Sequence, residues 1–98
     1  MALVMVTSTY PPDKAAEVAA AWIRGVETPL PAFVKRLHVL VAPAGEMKSY
    51  SMFEVDAGKE DEGYKEILRR LLQFQIEGFR YHIEHVLPAE EAIPLLGL

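Results

Sequence analysis

An α+β fold, with a four-stranded antiparallel sheet carrying two helices on one face, is predicted by three observations. Residues 2–9, 33–42, 47–55 and 79–87 are apolar and β-branched at strand length. Two intervening stretches carry apolar residues at helical spacing instead. Proline and glycine clusters punctuate the joins, and the resulting order is β-α-β-β-α-β.

The first strand is "ALVMVTST", and "YPPDK" stops it. Two prolines followed by an aspartate suit a helix entrance, because proline tolerates the first turn and an acid there complements the helix dipole. Ala15, Val18, Ala19, Trp22 and Val26 then recur on one stripe, with Trp22 expected in the core. Gly25 and "ETPLPA" end this helix in a loop. "FVKRLHVLVA" and "MKSYSMFEV" form a hairpin around "PAGE", where Gly45 can take positive φ. The second helix follows the acidic "DAGKEDEG" and aligns Tyr64, Ile67, Leu68, Leu71 and Phe74. Arg69 and Arg70, towards its end, read as a solvated face. Gly78 breaks the helix, and "FRYHIEHVL" is the fourth strand. This is the ferredoxin-like arrangement, in which right-handed crossovers put both helices on one side. Residues 1–98 read as one domain, with a tail at 88–98 whose Ile93, Leu95, Leu96 and Leu98 are expected to dock on the domain or on a partner.

Side chains alternate along a strand, so parity sorts them into two faces. Val4, Val6, Phe33, Leu37, Val39, Phe53, Val55, Tyr81 and Ile83 fall on the helix side. His85 falls there too, near the strand's end. The other face mixes Leu3, Met5, Leu40, Tyr50, Met52 and Val86 with Arg36, His38, Glu54, Arg80, His82 and Glu84. Such a face is too apolar for plain solvent and too charged for a dry core, which is the pattern of an interface or a groove. A one-residue slip or a bulge would exchange the faces.

Composition narrows the function. The net charge is −4 and no cysteine is present. An acidic chain has no electrostatic pull toward nucleic acid or anionic membranes. The lack of thiols removes cysteine nucleophiles, Cys-ligated metals and disulfides, and fits a cytoplasmic protein. The first residues read as a strand and not a signal peptide, and no apolar run reaches the length of a membrane span. Phosphate-loop, dinucleotide and nucleophile-elbow motifs are absent.

The element order and the mixed open face, with segments such as "VMVTSTYPPDKAAEV" and "KSYSMFEV", resemble the dimeric α/β-barrel superfamily over residues 2–87. That resemblance implies two ferredoxin-like sheets packed face to face across a two-fold. It carries over no catalytic residues, because members of the superfamily share none. The function expected is a homodimeric domain binding a small organic molecule on or near the open sheet face, between sheet and helices or at the dimer seam. The alternative is a non-catalytic oligomerisation or ligand-sensing module.

Within this reading Glu54 is the candidate general base, an inner-strand carboxylate beside Met52 and Tyr50. Its alternative role is an ion pair with Arg36, Arg80 or a partner cation. His82 is the second catalytic candidate, and Arg36, His38, Tyr50, Met52 and Arg80 are the candidate ligand-binding residues. The histidines come from opposite edge strands, so no metal site is expected, and no cofactor is implied.

Overall fold

A computed structural model describes all residues, Met1–Leu98. Strand β1 (Ala2–Tyr10) passes through a 3₁₀ turn at Pro12–Lys14 into α1 (Ala15–Val26). The hairpin is β2 (Val34–Ala44) and β3 (Glu46–Val55), followed by α2 (Glu60–Leu71) and β4 (Arg80–Val86). The tail makes a short α3 (Ala89–Ala92) and a 3₁₀ turn at Ile93–Leu96. The four strands form one antiparallel sheet in the order β2-β3-β1-β4. This is an α+β, ferredoxin-like fold, with β1 and β3 inside and β2 and β4 at the edges.

The hairpin is tighter than expected. Pairing runs on through Pro43 and Ala44 to Glu46, and Gly45 alone, at φ +84°, turns the chain. The second helix ends at Leu71, earlier than its stripe predicts, so Phe74 packs from the following turn. At the start of α2 the Glu60 carboxylate accepts the Gly58 backbone N–H at 3.2 Å. Backbone N–H donors of Glu60 and Gly58 hold its carboxyl below the ordinary glutamate range.

The core lies between α2 and the lower half of the sheet. Ala2, Val4 and Val6 alternate inward from β1 and meet Phe53 and Val55 from β3, Val34 from β2 and Ile67 from α2. Val4, Val55 and Ile67 are fully buried, and each such side chain stabilises the fold by about 1.5–3 kcal/mol. Gly63 sets the closeness of the helix. A β-carbon built there would overlap the γ-methyls of Val55, so only glycine lets α2 sit this low on β3.

Two expectations are corrected. First, β2 is not regular: Arg36 pairs with Phe53 while His38 pairs with the adjacent Met52, leaving Leu37 as an extra residue. This β-bulge inverts the parity of everything before it. Val34 and Arg36 therefore face the helices, and Lys35 takes the open face opposite Glu54. Second, Trp22 is not core but 40% exposed, and α1 buries only Val18. Of the two docking places expected for the tail, its own domain is not used: Leu95, Leu96 and Leu98 are 76%, 75% and 85% exposed.

Candidate ligand-binding cavity

The corrected parity of β2 and the thin contact of α1 have one consequence. Helix α2 closes tightly over the Val4–Val55 end of the sheet, and a space is left over the other end. A cavity of about 390 Å³ lies there, floored by Val6, Ser51 and Phe53 and roofed by Val18, Trp22 and Ile67. Its size is within the ~300–1,000 Å³ usual for small-molecule sites, and its walls are mostly apolar.

One end of the cavity is aromatic. Phe74 and Phe79 stack with ring centroids 4.8 Å apart, and Tyr10 stacks on Phe79 at 6.1 Å. Offset stacks of this kind hold their rings in fixed orientations. The Tyr10 hydroxyl and the Ser49 hydroxyl are hydrogen-bonded to each other at 2.9 Å. Ser49 thus has a phenol for a partner, not a histidine or carboxylate that could draw off its proton.

Arg36 enters from β2. Its guanidinium carbon lies 5.9 Å from the Trp22 ring centroid and 5.5 Å from that of Phe53. Cation–π contacts with these rings hold it in place. It makes no salt bridge, and its Nε is shut off from water with no hydrogen-bond partner. Burial, reinforced by the neighbouring Arg70 cation, pushes its pKa below the ordinary arginine value.

Arg70 also lines the cavity, and it too is corrected, since it is not a solvated residue. Its side chain is 17% exposed and fully engaged. Nε donates to Glu66 Oε1 at 3.0 Å, Nη1 to the Gly25 carbonyl at 3.1 Å and Nη2 to the Pro29 carbonyl at 2.9 Å. Glu66, only 8% exposed, also accepts from the outward-facing Arg69. Arg70 therefore binds α2 to the end of α1, adding a charged donor to the Gly25 carbonyl, which also accepts the Thr28 backbone N–H at 3.2 Å. Sequence reasoning missed this role, although the Glu66–Arg70 spacing of four residues signals a helical ion pair.

The open face is arranged in cross-strand rows. Lys35, Glu54, Leu3 and Val86 form one, His38, Met52, Met5 and Glu84 the next, and Leu40, Tyr50, Thr7 and His82 the third. Arg80 stands beyond them opposite Thr9. His85 is on the helix side, opposite Val4. Of the candidate site residues, His38 and Met52 are neighbours, and Tyr50 shares a row with His82. Glu54 and His82 are two strands and two rows apart, roughly 16 Å by sheet spacing, so they do not converge within one chain. Arg36 is on the opposite side of the sheet from all of them. Glu54 makes no salt bridge, and its cross-strand neighbour is Lys35. No three His, Cys, Asp or Glu side chains come together as a metal site would require. No helix is long and apolar enough to cross a membrane.

No protein-family model and no curated protein sequence matches the chain. Among solved structures it is similar to the de novo designed protein Foldit4, with a TM-score of 0.59 and 13% identity over 89% of this chain and 97% of that one. It is also similar to the C-terminal domain of the MgtC protein from Mycobacterium tuberculosis, with a TM-score of 0.52 and 11% identity over 91% and 94% of the two chains. At such identities the likeness is one of fold, and it fits the ferredoxin-like type.

Proposed function

We propose that this chain is a small-molecule-binding domain that works as a homodimer, with the ligand seated between the helices and the sheet. The observation that carries this reading is the cavity itself, with apolar and aromatic walls and a few polar groups turned inward. A core-only domain of this size would have closed that space, because interiors pack to crystal-like density. The reading is of binding and not catalysis. The two catalytic candidates, Glu54 and His82, are about 16 Å apart by sheet spacing, and Ser49 lacks an activating base.

Dimerisation through the open face supports the same reading. Leu3, Met5, Met52 and Val86 would meet their counterparts across a two-fold, as in the dimeric α/β-barrel superfamily, with Lys35, Glu84 and Arg80 toward the rim. Arg80, His38 and His82 then serve the seam between copies. The exposed leucines of the tail are placed by this reading on the partner, since they do not lie on their own domain.

The test is to block the cavity. Ser51→Phe puts a ring into its floor without touching the open face. Small aromatic compounds should raise the melting temperature of the native protein and not that of the variant. Stabilisation that is the same in both proteins would place binding elsewhere and refute the cavity.

A further inference from the structure

We propose that the cavity selects aromatic carboxylates, with Arg36 as the residue that takes the carboxylate; this rests on the cavity being the binding site. Charge balance comes first. Two guanidiniums line the space and no aspartate, glutamate or histidine does. Arg70 is already neutralised by Glu66 and held by two backbone carbonyls. Arg36 has neither an acid nor a hydrogen-bond acceptor, and its Nε is sealed from water. Its Nη groups also lack an acceptor but are not sealed as Nε is, so they are the charged donors that an incoming carboxylate would reach.

Geometry then restricts the anion. Trp22 and Phe53 hold the guanidinium by its π contacts, which leaves its in-plane N–H donors for a ligand. A planar carboxylate matches that fork with two parallel hydrogen bonds. One uncommitted guanidinium suits a single negative charge better than a dianion.

The rest of the space describes the ligand's body. The Phe74–Phe79 stack offers an aromatic wall, and most of the remaining lining is aliphatic or aromatic, so a flat ring is favoured over a polar or sugar-like body. On the floor, Ser51 and Ser49 follow Phe53, the residue opposite Arg36, one and two side-chain steps along the same face of β3. A hydroxyl on the ring could reach them, since steps on one face are about 7 Å.

The test uses the native full-length protein with a matched pair of probes, 4-hydroxybenzoate and the neutral 4-hydroxybenzamide. Binding is followed by calorimetry and by the fluorescence of Trp22, the sole tryptophan, which lines the cavity. The acid should bind at least about tenfold more tightly than the amide, the size of effect a charge-assisted bidentate pair gives. Arg36→Met, which keeps the apolar stem, should bring the acid down to the affinity of the amide and leave the amide unchanged. Equal affinities of acid and amide for the native protein would overturn the anion selection and leave the cavity reading standing. Tighter binding of octanoate or inorganic phosphate than of 4-hydroxybenzoate would overturn the ligand class. If neither probe binds or perturbs Trp22, the proposal falls, and the Ser51→Phe comparison decides separately whether the cavity reading falls with it.

Discussion

Replacing Arg70 with methionine removes the one side chain that joins the two helices over the cavity. Methionine keeps most of the apolar stem, so the loss is electrostatic. Two hydrogen bonds from a charged donor to the Gly25 and Pro29 carbonyls disappear. Glu66, whose side chain is 10% exposed, is left with only the outer Arg69 for company. Both members of the Glu66–Arg70 pair are well under a third exposed, so solvent screening removes little of the effect. Breaking such a pair from one side costs about 3–5 kcal/mol, a large part of the ~5–15 kcal/mol that holds a domain together. A loss near 4 kcal/mol lowers the melting temperature of a chain this size by roughly 15–30 °C. Urea unfolding of the native protein, Arg70→Met, Glu66→Gln and the double variant measures it. The double variant should be more stable than the two single losses added together, by about 1–3 kcal/mol. A loss below about 1 kcal/mol for Arg70→Met, with no coupling to Glu66, would show that the bridge is idle and that the helices are spaced by something else.

Gly63→Ala should destabilise the domain by about 1–3 kcal/mol by overpacking against Val55, despite the better helix propensity of alanine, and urea unfolding reads it directly. Met52→Lys puts a charge at the centre of the open face and should shift the protein from dimer toward monomer in sedimentation. A native protein that sediments as a monomer at high concentration would refute the dimer itself. Truncation after Pro88 should weaken self-association and leave the circular dichroism of the sheet domain intact; unchanged association would mean that the tail's leucines do not dock on the partner.

Much of the fold is legible in the sequence because its signals are local and repeated. Periodicity placed every strand and both long helices, and parity sorted β1, β3, β4 and the second half of β2 correctly. Arg36 escaped because a bulge leaves no mark: "VKRLH" has no glycine or proline, and only the pairing with β3 reveals Leu37 as supernumerary. That single residue moved the one uncommitted, half-buried cation from the open face to the cavity. Trp22 read as core because helical spacing tells which side faces inward but not how closely the helix approaches. Arg70 read as solvated because two of its three partners, Gly25 and Pro29, are more than forty positions away in sequence. The cavity follows from these three misplacements together, since it is the space left where α1 stands off and long polar side chains bridge the gap.

The central claim is that ligand binds under the helices and not on the open face, and methyl-resolved NMR tests it most directly. The two sides carry separate reporters: Val18, Val39, Ile67 and Leu71 around the cavity, and Leu3, Met5, Leu40 and Met52 on the open face. Titration with 4-hydroxybenzoate should shift the first group and leave the second in place. Shifts confined to the second group, centred on Met52, would contradict the account and return the site to the open face.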